Sequence, residues 1–260
     1  MDSRRISFIV LHSLLALGIL IPITLIIARQ IIPSLFTSAP IEITSVSYFA
    51  LPAFIHILIS FLGMLPALLL PQTSRNSIER FLLPPIYMTI TLLNIPVVVM
   101  YLFLKGASVI GFSVWGRVYL FALLFGAILL LFIGLFHFGI NTGKLLQFTL
   151  IAAAGCMLLA ILVPLSVALH PLDPIAWVMD KRFYGLPILL GILSIFNFVA
   201  LLLRERTQHN LFRNMSLMLI LVGNFLYLAR FAIIVSWIGV AFFALGVLIS
   251  VPRGRFSQIQ

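Results

Sequence analysis

Charge is what this sequence has least of. Of its 260 residues 8% are charged and 63% are hydrophobic, with a mean hydropathy of +1.24. A water-soluble domain carries about 25% charged residues and about 45–50% apolar ones. No soluble core absorbs this much apolar side chain, so the solvent of the chain is lipid. Acids are scarcer still: Asp2, Glu42, Glu79, Asp173, Asp180 and Glu205 are all there are, and all six read as lying outside the apolar runs. Carboxylates inside a membrane are costly and are kept for proton relays and cation-coupled carriers. Their absence from the runs argues against a proton pump built on a buried acid, against intramembrane aspartyl proteolysis and against carboxylate-bound metal. Cysteine is nearly missing. Cys156 stands alone, which excludes an intrachain disulfide and a CxxCH haem attachment. Walker, GxGxxG, HExxH and CxxC motifs are absent as well. Ser108 in GASVIGFSVWG does not fit the GxSxG pattern of serine hydrolases. No catalytic residue and no metal site is assigned, and the chain does not read as an enzyme on its own.

What is present is a series of apolar runs, at about 6–28, 46–70, 81–104, 116–140, 145–169, 184–203, 213–229 and 232–250. A bilayer core of about 30 Å needs roughly 20 helical residues. The expected fold is therefore all-α: a polytopic integral membrane bundle of eight transmembrane helices, forming a single domain over 1–260. MDSRR followed by Ile6 to Ala28 is too long for a signal-peptide core and reads as an uncleaved first span. Asn214–Val251 is the decisive stretch, apolar but for Arg230. Two crossings put Arg230 at an outer turn. The alternative is seven spans, with one long tilted helix and an external C-terminus. The basic residues favour eight. With both termini cytoplasmic, the inner side holds ten of the sixteen Lys and Arg: Arg4, Arg5, Arg75, Arg80, Lys144, Arg204, Arg206, Arg213, Arg253 and Arg255. That is the expected bias. The net charge of +10 is thus assigned to topology and lipid headgroups, not to nucleic acid. The setting expected is a bacterial inner membrane.

Polar residues inside the runs are the candidate ligand-binding groups: His12, His56, His137, Asn94, Asn224 and Arg230. His12 and His137 fall at similar depth, the arrangement that ligates a haem iron axially. Without paired histidines at repeated spacing no b-type haem is expected, and a quinone is the better match. Thr91 and Asn94 stand just before Pro96 and are placed to satisfy a kink. Asn197 and Asn224 read as bonds across helices. Pro22, Pro52, Pro66, Pro84, Pro85 and Pro96 crowd the first three spans, which predicts bent helices around a cavity. Gly239 and Gly246 share one face of the last span, and Gly126 and Gly134 one face of the fourth; both read as sites of close helix approach. LHPLDPIAWVMDKRFYG (169–185) reads as a short interfacial helix, with Asp173 as N-cap and Pro174 as its first residue.

In general form, with eight spans, short loops and a membrane interior without acids, the chain is similar to the membrane anchor subunits of molybdenum reductases of the dimethyl-sulfoxide type. HPLDPIAW (170–177) between two spans and the Arg that closes Gly223–Arg230 carry the likeness. That family's His-Leu-Gly-x-Pro-x-Arg element is missing after the second span. HFGINTGK (137–144), after the fourth, is the nearest match, so no residue roles are transferred. The expected function is a non-catalytic membrane subunit of a larger assembly, with membrane lipid and protein subunits as partners, binding a lipid-soluble ligand such as a quinol. The alternatives are a transporter or channel-like permease for a neutral or anionic small molecule, and a membrane sensor or receptor.

Overall fold

The computed structural model describes residues 3–28, 45–69, 77–104, 109–139, 142–164, 185–204, 208–229 and 233–250. Among them are nine α-helices and no strand: α1 (Ser3–Ile26), α2 (Ser45–Leu69), α3 (Ser77–Leu92), α4 (Ile95–Leu104), α5 (Val109–His137), α6 (Leu145–Leu162), α7 (Gly185–Arg204), α8 (Gln208–Ala229) and α9 (Ile233–Ser250). In hydrocarbon every backbone polar group must be satisfied within the segment, and for a single apolar run only the helix does that. Helices α3 and α4 form one interrupted span. Eight spans result that are long and apolar enough to cross a membrane, the make-up of an integral multi-pass membrane protein. The seven-span alternative gives way here. One helix ends at Ala229 and another begins at Ile233, and the two run antiparallel.

The distribution of side chains is that of a body in an apolar solvent. Leu203 is 76% exposed and Leu248 70%, whereas His12, His56, Ser60, Thr91 and Asn94 are fully buried. The span containing α3 sits at the centre, with 83% of it buried. It packs on α1, α2 and α5. Helix α6 lies at the edge, 17% buried, against α5.

The tightest packing joins α8 to α9. A Cβ added to Gly239 would lie 2.4 Å from the backbone nitrogen of Tyr227, and one on Gly246 would lie 2.8 Å from that of Ile220. Only glycine allows backbones this close. Ser216 Oγ adds a hydrogen bond of 2.7 Å to the Gly246 carbonyl. Gly126 and Gly134 also mark close approaches, but to different partners. Gly126 faces Thr89 of α3 and Gly134 faces Asn197 of α7. Asn197 donates across the interface to the Leu131 carbonyl at 3.2 Å. At one end of α5, Arg117 donates to the Ala160 and Ile161 carbonyls, which satisfies the C-terminal end of α6.

Candidate functional site

The interruption between α3 and α4 organises the interior. Pro96 has no N–H, so the carbonyls one turn earlier lose donors. The chain tightens there. Asn94 N donates to Thr91 O at 3.2 Å and Val97 N to Asn94 O at 3.1 Å. The Asn94 side chain supplies the rest, its Nδ2 lying 3.2 Å from Ile90 O and 3.3 Å from Thr91 O. Carbonyls only accept, so they fix which end of the amide is nitrogen. Its Oδ1 then accepts from Tyr227 OH of α8 at 2.5 Å. Its Nδ2 also faces His56 Nδ1 of α2 at 3.3 Å. That ring nitrogen must be the acceptor, which places the proton on Nε2 and leaves His56 uncharged. The His56 ring stacks on Tyr227, with centroids 4.1 Å apart, and meets Phe243 of α9 at 4.7 Å.

One turn away, His12 of α1 brings Nε2 within 2.7 Å of Thr91 Oγ1 and sets Nδ1 against the Met64 sulfur. The Thr91 hydroxyl lies 3.2 Å from both Ser60 Oγ and Tyr87 O. Ser60 donates to Tyr87 O at 2.7 Å. Three of the sequence candidates, His12, His56 and Asn94, thus share one buried, uncharged hydrogen-bond network spread over α1, α2, α3 and α8. Thr91 lies in the last turn of α3 and Asn94 in the interruption that follows, and the bond from Asn94 N to Thr91 O joins the two halves.

Glu79 is a correction to the reading of the acids. It lies inside the span Ile78–Val99, not ahead of it, and is 5% exposed. The reason is pairing. The first turn of α3 turns the carboxylate inward, where Oε1 meets His137 Nε2 of α5 at 2.9 Å and Arg213 Nε of α8 at 3.4 Å. His137 Nδ1 is 2.6 Å from the Ile133 carbonyl, so it carries a proton and donates. His12 and His137 are therefore not neighbours across a shared ligand. One serves the central network and the other an ionic cluster at the end of the bundle. No group of three His, Cys, Asp or Glu able to hold a metal occurs among the described residues.

Asn224 does not bond across helices as expected. Its Nδ2 donates to Ile220 O of its own helix at 2.9 Å. The side chain lines a small cavity between α3, α5 and α8. Arg230 and the segment 170–177 lie outside the described residues.

No family model, curated protein or solved structure matches the chain. Its function is therefore argued from its own chemistry. The central network offers neutral donors and acceptors with no charge among them. Its members were visible in the sequence as polar residues within apolar runs. Glu79 was not, because Arg75 and Arg80 flank it and made it read as part of a loop.

Proposed function

We propose that the protein is a membrane carrier or permease for a small uncharged polar solute, with the network around the α3–α4 interruption as the solute's site. The observation that carries this reading is the interrupted helix itself. Membrane carriers form midplane sites at discontinuous helices, where freed backbone groups and nearby side chains exchange partners with a substrate. Here Asn94 occupies the freed carbonyls while also bonding His56 and Tyr227. A solute with one donor and one acceptor can insert between Tyr227 OH and Asn94 Oδ1, accepting from the phenol and donating to the amide oxygen, without leaving either unsatisfied. A neutral His56 and the absence of carboxylates from the network favour an uncharged solute over an ion. The ionic cluster of Glu79, His137 and Arg213 is assigned to closure of one end.

In this reading both termini face the cytoplasm, as the ten-to-six distribution of Lys and Arg favours, and the host is a bacterial inner membrane. A reporter fused to Gln260 that is active only on the external side would overturn that orientation.

Purified protein in sealed vesicles tests the carrier function. Neutral polar solutes of graded size should enter faster than into empty vesicles. Asn94→Leu and His56→Phe should remove the difference while the protein still folds. Vesicles no more permeable than controls, together with isolation of the protein in a complex with a redox subunit or bound quinone, would defeat the carrier reading and support the quinol-binding subunit.

A further inference from the structure

The seam between α3, α5 and α8 holds a polar position that the network does not use. A cavity of about 30 Å³ lies there, walled by Thr89 and Ile90 of α3, Gly126 and Leu130 of α5, and Asn224 and Phe225 of α8. Its wall is apolar except for two side chains. The Thr89 hydroxyl proton is committed to Ile86 O at 2.7 Å. The Asn224 amide donates to Ile220 O, and its Oδ1 is buried with no partner among the described residues. Asn224 is 5% exposed and Thr89 4%, so solvent does not supply one. What each leaves is an acceptor. Gly126 leaves the Thr89 oxygen uncovered, since a Cβ there would sit 2.7 Å from it.

An orphaned acceptor is costly in a protein interior and more so in hydrocarbon. We propose that this cavity is a binding site for one small uncharged hydrogen-bond donor, about the size of water, held by Asn224 Oδ1 and Thr89 Oγ1. Two acceptors repel an anion. The wall has no carboxylate to repay the desolvation of a cation. The volume is above the roughly 10–15 Å³ that a cavity needs to hold one water. The site stands whether the chain carries solutes or anchors a partner.

Water is the probe. The full chain in detergent is exposed to radiolysis in ¹⁸O-labelled water, and incorporation is read residue by residue. Leu221, which lines the cavity and is 1% exposed, should be labelled, while Phe198 and Ile57, as deeply buried elsewhere, should not. Asn224→Leu should abolish labelling of Leu221 and lower the melting temperature. If that variant does not fold, Thr89→Val should reduce the same labelling. An unlabelled Leu221 in the wild-type protein overturns the proposal. So does Asn224→Leu raising the melting temperature, because a dry cavity gains from removal of an orphaned acceptor. Labelling that persists in both variants overturns it too.

Discussion

Helices α3 and α6 belong to the same compositional class and have opposite places in the molecule. Their spans have hydropathies of 1.8 and 2.3, yet 83% of one is buried and 17% of the other. The difference is in the polar residues. The α3 span carries Glu79, Thr89, Thr91 and Asn94, all buried, and each has partners on other helices or on its own backbone. Helix α6 presents Ile151 and Leu162 at 69% and 67% exposure, and its Thr149 bonds only its own Leu145 carbonyl. In water the most apolar helix goes to the centre. In lipid apolarity alone does not set depth, since the most apolar span, Ser113–His137, is 61% buried; the helix that cannot meet its polar obligations alone is drawn inward.

If this comparison is right, the largest effects of substitution belong to the inner span. His137→Leu leaves Glu79 buried without its nearest partner. Breaking a buried pair from one side costs about 3–5 kcal/mol, so the variant should unfold at distinctly lower denaturant in detergent. Adding Glu79→Gln should recover part of the loss, since the stranded charge goes with it. Recovery of nothing would mean that the pair contributes by packing alone. Next comes Asn94→Leu, which strips the Ile90 carbonyl and Tyr227 OH of their partner. An orphaned buried group costs about 1–3 kcal/mol, and thermal unfolding should show a loss in that range.

The remaining two predictions set one substitution against itself. Gly239→Ala forces a methyl group onto the Tyr227 backbone and should destabilise by about 1–3 kcal/mol, as overpacking does. Gly155→Ala in α6 meets nothing within 4 Å. There the helix propensity of alanine should prevail, a gain of up to about 1 kcal/mol. Equal effects at the two positions would erase the distinction between inner and outer helices.

The spans were legible because hydropathy over 18 residues or more reads directly as burial in lipid. The α8–α9 contact was legible in part, from two glycines seven residues apart on one face. So was the role of Asn94, because Pro96 two residues on leaves carbonyls that something nearby must satisfy. Depth near a helix end was not legible. Glu79 sits in the first turn of α3, and a shift of one turn decides whether a carboxylate is a loop residue or a buried counter-ion. Nor could the pairings be read. His12 meets Thr91 and Met64 from 79 and 52 residues away, and a single sequence carries no signal of such distances. Arg230, on which the span count was argued, has no described position; the antiparallel packing of α8 against α9 decided the count instead.

The edge position of α6 also bears on the membrane itself. It has 18 residues and rises about 27 Å at about 1.5 Å per residue. Its neighbour α5 has 29 residues and reaches about 44 Å by the same measure. A long helix held in the bundle accommodates a thin bilayer by tilting or by projecting beyond it, but a short helix facing lipid has no such recourse and the bilayer must adjust to it. Hydrocarbon about 27 Å thick fits α6 without strain. In a membrane of about 32 Å the lipids beside α6 would have to compress, at a fraction of a kcal/mol for each ångström. The least constrained helix in the protein is thus the one that selects the thickness of its surroundings.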